Sequence, residues 1–277
     1  MPELPEVETI AKRLRPALAG QRIERAQVFW ARTIALPSAA AFTRRLRGQS
    51  IESVGRRGKY LLFSLSSGDV LITHLRMTGD FTLAEAPKGA PHDPYVRVRF
   101  ALNGGRELWF TDVRKFGRMA LTNDPDEVLG HLGPEPLSRQ FTPARLAGIL
   151  SGRSTPIKPL LLNQALIAGL GNIYADEALH YAGVHPRRPA GSLTSKEIAR
   201  LHAGIRFVLR KGIRLGGSTL ADFRFRDPFG NPGKMQEEFV VYHDPRREQK
   251  ICPRCGTRVT YLVIAQRSAH FCPGCQR

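Results

Sequence analysis

The sequence predicts an α+β protein of more than one domain: an N-terminal helix, a β-rich sandwich or barrel, a helical region and a small cysteine-bearing β module. Three observations carry this. Apolar residues recur at helical spacing over positions 3–18. Short β-rich runs broken by turn residues fill positions 21–122. Helical patterning takes over after Asn123, and all four cysteines fall in the last 26 residues. At 277 residues the chain is long enough for two domains or one large one with a proper core.

The first helix rests on Val7, Ile10, Ala11, Leu14 and Leu18, with Glu6 and Glu8 in a first turn where the helix dipole favours acids. Pro5 is tolerated near its start and Pro16 near its end. Strands are predicted over 51–54, 60–65, 70–74, 95–101 and 107–111, separated by Gly, Asn and Ser turns, with a short helix over 39–47 between them and the first helix. Helices follow over 124–129, 142–150, 158–168, 173–182 and 194–213. The last is the best defined. Thr194 and Glu197 make a capping-box pattern, and Ile198, Leu201, Ile205, Val208 and Leu209 share one face. Residues 221–236, rich in Gly, Pro and Asp, read as a loop, and short strands return around the cysteines.

Lys and Arg number 42 against 24 Asp and Glu, a net charge of +18. Such a surface attracts polyanions through counterion release, so nucleic acid leads as partner and a membrane surface comes second. The cations are spread along the chain, which suits a folded groove better than a disordered arm. No apolar run approaches the ~18 residues of a membrane span. The start of the chain lacks the basic and apolar stretches of a secretion signal, so a cytoplasmic protein is expected, with no membrane partner.

Cys252-Pro-Arg-Cys255 and Cys272-Pro-Gly-Cys275 are two CxxC knuckles separated by sixteen residues. Two knuckles supply four thiolates to one tetrahedral Zn²⁺. Four protein ligands leave no open position, so the expected zinc is structural. Residues 259–264 read as one strand of a hairpin finger. Residues 241–277 carry seven Lys/Arg and two Asp/Glu, a balance suited to phosphate, although such ribbons also serve protein contacts.

Pro2 directly follows Met1. Removal of Met1 exposes a secondary amine, and an α-amino group with a reference pKa of ~8 is far more often neutral at pH 7 than a lysine. Such an amine can attack a sugar C1′ and form an iminium, with Glu3 beside it as acid or base. Equally, Pro and Glu are common at a plain helix start.

Longer motifs bear on that choice. Residues 2–9, Pro-Glu-Leu-Pro-Glu-Val-Glu-Thr, resemble the start of formamidopyrimidine-DNA glycosylases. The resemblance continues in order through Gly58-Lys59-Tyr60-Leu61, His74-Leu75-Arg76-Met77-Thr78-Gly79, Asp112-Val113-Arg114-Lys115-Phe116-Gly117 and the His131–Leu137 run. It then takes in Ala168-Gly169-Leu170-Gly171-Asn172-Ile173-Tyr174-Ala175-Asp176-Glu177, Gly216–Leu220 and the cysteine finger. It implies an N-terminal helix with a β-sandwich (1–122), a helix–two-turn–helix domain (123–220), a lesion-covering loop (221–240) and a zinc finger (241–277).

By the same resemblance, Pro2 is the nucleophile that displaces the base, Glu3 assists ring opening and proton transfer, and Lys59 supports catalysis and meets phosphate. Arg267 joins the catalytic set from the finger and reaches phosphates beside the lesion. Met77, Arg114 and Phe116 match wedge residues: an apolar plug, a donor to the orphaned partner base and a ring that stacks and kinks. Core packing is the alternative for Met77 and Phe116 read alone. Asn172, at a Gly-rich junction between two helices, is expected both to cap the second helix and to approach phosphate. His74, His92, Lys115, Arg153 and Lys158 are expected backbone contacts. Ser218–Met235 is expected to cover the extruded base.

Three features depart from the family pattern: Asn163 where Asp is usual, the His243–Arg247 run, and Phe229-Gly230-Asn231-Pro232 in the covering loop. None touches Pro2, Glu3 or Lys59. The implied activity is excision of 8-oxoguanine and formamidopyrimidines from duplex DNA, then β,δ-elimination at the abasic site. A monomer with one structural zinc and no redox or nucleotide cofactor is implied. An oxidised-pyrimidine glycosylase of the endonuclease VIII type, a non-catalytic damage-binding homologue and a zinc-ribbon RNA-binding module are the rivals.

Overall fold

The computed structural model describes residues 1–85, 93–220 and 225–277. His92 and part of the expected covering loop lie outside them. The chain divides into two compact units, residues 1–131 with 215–234, and residues 132–214 with 235–277. The expected four segments in line therefore become two interleaved units, because residues 215–234 return to the N-terminal one and the finger joins the helices.

In the first unit, α1 (Leu4–Leu18) buries Val7, Ile10, Ala11, Leu14 and Leu18, the residues that predicted it. After it come β1 (Ile23–Val28), β2 (Ile34–Leu36), α2 (Ala39–Leu46), β3 (Ile51–Arg57), β4 (Tyr60–Leu65) and β5 (Val70–His74). The unit continues with β6 (Gly79–Glu85), β7 (Val96–Leu102), β8 (Arg106–Asp112), β9 (Arg118–Thr122) and the short α3 (Asp126–Leu129). Two sheets form, in the orders β1-β7-β8-β6 and β2-β9-β5-β4-β3, which settles sandwich over barrel. Alternation drives this: β4 turns Leu61, Phe63 and Leu65 inward and leaves the residues between them half-buried. Phe63 of one sheet meets Phe81 of the other at 5.5 Å between ring centres, and Phe81 meets Phe110 at 5.3 Å. Such tilted aromatic contacts anchor the core between the sheets.

The second unit holds α4 (Pro143–Leu150), α5 (Ile157–Leu162), α6 (Asn172–Ala182), α7 (Ser195–Arg214), β10 (Thr260–Ile264) and β11 (Arg267–Phe271). Thr194 and Glu197 exchange the bonds of a capping box, with the Thr194 amide donating to Glu197 at 2.8 Å. The helix expected over 158–168 stops at Leu162. Asn163 turns to extended backbone, and its Oδ1 accepts from the Ala165 amide at 3.0 Å. Gln164 then ties the turn together, donating to the Leu162 and Leu170 carbonyls and accepting from the Gly169 amide. An Asx turn outcompetes the helix here, as Asn side chains do when they bond nearby backbone.

Candidate active site and nucleic-acid interface

The chain start is built by a carboxylate that the sequence reading left without a role. Glu6 is buried, and its Oε2 accepts from the Glu3 amide at 2.9 Å. Its Oε1 accepts from the Ser218 amide at 2.8 Å and the Ser218 hydroxyl at 3.0 Å. One side chain thus fixes the first turn of α1 to the Gly216-Gly217-Ser218 segment. Gly217 permits this approach: it has φ of +80°, and a Cβ there would lie 2.9 Å from Glu6 Cγ. Glu3 is buried and Pro2 half-buried. The Met1 amine has its pKa lowered by burial, against the pull of Glu3 and Glu6 and with the help of Lys59 and Arg114. Those four side chains therefore act electrostatically on the chain start.

Sheet register brings Lys59, His74, Met77 and the Arg114–Phe116 turn to one edge of the first unit. Arg57 pairs with Tyr60, Tyr60 with His74 and His74 with Arg118. The turns that follow these positions therefore share an end of the five-stranded sheet. Lys59, buried, sits in the β3–β4 turn beside Gly58 at φ +57°. His74 packs edge-on against Tyr60 at 4.6 Å, and its Nδ1 accepts from the Arg76 amide at 2.9 Å. Burial first, then Arg76 and Lys59, lower the His74 pKa to about 3. The ring is neutral, with its proton on Nε2 for donation.

The wedge residues sit on two adjacent turns. Met77 lies half-buried between β5 and β6, while Arg114 and Phe116 stand exposed between β8 and β9. Asp112 joins these turns. Its carboxylate accepts from the Thr78 hydroxyl, from the Arg114 amide at 3.2 Å and from the Gly117 amide at 2.7 Å. Gly79 and Gly117 both close onto the Phe110 ring, where a Cβ would fall 2.9 Å from ring atoms. Phe116 is 48% exposed, which rules out core packing for it, and the Arg114 guanidinium lies 4.8 Å from its ring centre. Lys115 is exposed at φ +60°, its ammonium 4.2 Å from the Trp30 ring centre.

In the second unit, Arg153 is exposed after α4, and its Nε donates to the Ile149 carbonyl at 2.7 Å. Arg267 is exposed at the tip of the β10–β11 hairpin, beyond Ala265 and Gln266 at positive φ. Asn172 is the first residue of α6 rather than its cap, which is Gly171, and its Nδ2 donates to Ser268 Oγ at 3.2 Å.

Lys158 requires a correction. It is 1% exposed, its Nζ lies 2.6 Å from Asp176 and it donates to the Ser268 carbonyl. An ammonium buried against a carboxylate holds structure together and is not placed to meet phosphate. Asp176 also accepts from the His270 amide at 3.0 Å, so this pair supports the strand that begins with Arg267. Glu177, next on α6, accepts from the amides of Val240, Val241 and Tyr242.

The four cysteine sulfurs lie within 4.8 Å of one another, with Cys252–Cys275 at 3.8 Å and Cys255–Cys272 at 3.4 Å. Tetrahedral thiolates at ~2.3 Å from zinc stand about 3.8 Å apart, so this donor set fits one structural Zn²⁺. The Gly256 amide donates to the Cys252 carbonyl at 2.9 Å and the Gln276 amide to the Cys272 carbonyl at 3.0 Å, giving each CxxC its tight knuckle turn.

Three family models match along the chain: the formamidopyrimidine-DNA glycosylase N-terminal domain over residues 1–119, its H2TH domain over 132–224, and the zinc finger found in FPG and IleRS over 250–277. A formamidopyrimidine-DNA glycosylase of Protochlamydia amoebophila is 44% identical over 280 residues, covering 100% of both chains. The chain belongs to the formamidopyrimidine-DNA glycosylase family. A second such glycosylase, from Chloroflexus aggregans, is 48% identical across 100% of this chain and 98% of its own. A mutant of Lactococcus lactis FPG in complex with Fapy-dG-containing DNA superposes with TM-score 0.90 at 37% identity, covering 100% of each chain. The wild-type Lactococcus lactis protein with DNA containing an oxidised pyrimidine matches with TM-score 0.89. Membership in this glycosylase family agrees with the α+β order of helix, sandwich, helical domain and finger. Asn163, His243 and the Phe229–Pro232 run are each held by local bonding in this chain. His243 Nδ1 bonds the Val241 carbonyl at 2.8 Å, and Asp227 accepts from the Phe229 and Asn231 amides at 3.0 and 2.9 Å.

Proposed function

We propose that this protein is a base-excision repair enzyme. It removes oxidised purines, chiefly 8-oxoguanine and formamidopyrimidines, from duplex DNA and then cleaves the abasic strand. The observation that carries the reading is the setting of the chain start, where half-buried Pro2 and buried Glu3 follow a Met1 whose amine feels Glu3, Glu6, Lys59 and Arg114.

After removal of Met1, the neutral Pro2 nitrogen attacks C1′ of the damaged nucleotide. The glycosidic bond breaks, and its electron pair leaves with the base, which takes up a proton. Glu3 gives a proton to O4′ as the sugar ring opens, leaving an iminium between Pro2 and C1′. Loss of the C2′ proton expels the 3′ phosphate, and a second elimination expels the 5′ phosphate. Lys59 and Arg267 hold and neutralise these phosphates. Meanwhile Met77, Arg114 and Phe116 fill the gap left by the extruded nucleotide. Lys115, His74, Asn172 and Arg153 meet the backbone, and residues 218–235 cover the base. The finger needs its zinc for shape alone. The enzyme acts in the cytoplasm, on the nucleoid.

The oxidised-pyrimidine complex of the Lactococcus lactis relative keeps a second lesion class in view. Single-turnover excision from duplexes carrying 8-oxoguanine, formamidopyrimidine or an oxidised pyrimidine decides between them. Purine lesions are expected to be released faster. Faster pyrimidine release would overturn the assignment.

A further inference from the structure

Helix α7 carries a surface that the repair chemistry leaves unused. Leu201, Gly204, Ile205, Val208, Leu209 and Gly212 are buried, and the helix packs on α6 through this face. Gly204 makes the packing close, since a Cβ there would lie 2.9 Å from the Tyr181 ring. The opposite face presents Arg206, Phe207, Arg210 and Arg214. Positions 206, 210 and 214 are four apart, so they form one row with a repeat of about 6 Å. Arg206 is anchored to the Pro136 and Ser138 carbonyls at 2.9 and 2.8 Å. Burial and the neighbouring Arg210 lower its pKa. Arg210 and Arg214 are exposed, and among the described residues no acid forms an ion pair with either. Glu238, which feels Arg214 electrostatically, is bonded to Lys211 at 2.7 Å.

Two cavities meet along this row. One, of about 310 Å³, is mostly apolar, walled by Tyr181, Phe207, Val208, Met235 and Val240, with Glu177 and Glu238, both engaged in bonds of their own, also in its lining. The other, of about 560 Å³, is walled by Arg206, Arg210, Arg214 and Lys211. Phe207 and Lys211 line both. Phe207 is 50% exposed and Tyr181 40%, their ring centres 5.2 Å apart. The result is one continuous groove with an apolar end and a cationic end. A phosphate backbone would match only the arginines and leave two aromatic rings and an apolar hollow in water. An exposed apolar patch beside a charged one is the signature of a protein contact.

We propose that this groove docks an acidic segment of a partner protein. An aromatic or large aliphatic side chain of the segment fills the apolar hollow, and its carboxylates lie along Arg210 and Arg214. Arginine suits such a row because its planar fork bonds carboxylates in pairs. Arg206, Phe207, Arg210 and Arg214 lie outside the proposed excision machinery, so the two readings stand or fall separately.

The test uses the full-length, zinc-loaded protein and a fluorescein-labelled peptide of aspartates closing on phenylalanine. A lysine counterpart and an undamaged duplex serve as comparison probes. Saturable, salt-sensitive binding of the acidic peptide is expected, with shifts at Phe207 and Tyr181 in NMR spectra. Arg210→Glu with Arg214→Glu should weaken it at least about tenfold, the scale of two lost charge-assisted contacts. Phe207→Ser should weaken it independently, and 8-oxoguanine excision should stay at its original rate in both variants. Absence of saturable binding, or binding indifferent to these substitutions, overturns the proposal. So does a loss of undamaged-duplex affinity in its place, which would make the row a DNA-binding face.

Discussion

At the scale of single residues, Asp80 on β6 is a carboxyl with a direct consequence for pH. Burial, with repulsion from Asp227 adding to it and the Phe81 amide opposing, pushes its pKa up to about 7. Asp227 is itself held by Arg13 at 3.0 Å. A folded pKa raised above the unfolded value of 3.8 means that the folded state binds this proton more tightly. The resulting stability is complete below that unfolded value and drains away as pH rises through about 7. Asp80→Asn should therefore flatten the fall in melting temperature between about pH 4 and 7. An unchanged slope would show that Asp80 is ionised throughout. Residues of this kind were not legible in advance, because sequence gives charge but not burial. The same gap misplaced Lys158, whose partner Asp176 lies eighteen positions away. It also hid Glu6, whose bond to Ser218 spans 212 positions. The four metal-ligating cysteines were legible because each pair sits in a contiguous CxxC motif.

At the scale of elements, α6 is the brace of the second unit. Its first turns present Asp176 to Lys158 and His270, and Glu177 to three backbone amides at Val240–Tyr242. Asp176→Ala would strand a buried ammonium, a defect that costs about 3–5 kcal/mol. Thermal or urea unfolding of that variant should show a loss of this size. A loss below about 1 kcal/mol, typical of an exposed pair, would mean that Lys158 escapes to solvent. Element boundaries were legible where a local signal existed: Thr194–Glu197 marked the start of α7, and apolar spacing marked α1. The strands β1, β2, β6 and β9 were missed. β1 buries only Ile23 and Ala26 fully, and β2 has three residues, so neither carries a firm period of two. The end of α5 was missed because an Asn turn stops a run whose composition still favours helix.

At the scale of the whole molecule, the charge of +18 and the four-cysteine finger bind the account to nucleic acid. Zinc stripping should unfold the finger, as it does in small metal-dependent modules, and take affinity for lesion duplex with it. The β-sandwich, which has its own aromatic core, should keep its melting transition. Retention of lesion affinity after complete zinc removal would show that the finger is dispensable. No helix among the described residues is long and apolar enough to cross a membrane. The order of helix, β-rich region, helices and finger was legible from patterning alone, whereas the choice of sandwich over barrel and the return of residues 215–234 to the N-terminal unit were not. A segment's long-range partner leaves no local period. The central claim is that the amine of Pro2 forms the covalent intermediate. Borohydride trapping on a duplex with 8-oxoguanine opposite cytosine tests it most directly, with the N-terminus sequenced and Pro2→Gly alongside. The account predicts a covalent protein–DNA species from the Pro2-terminated protein and a strongly diminished one from the variant. An equal yield from both, or none from either, would contradict it.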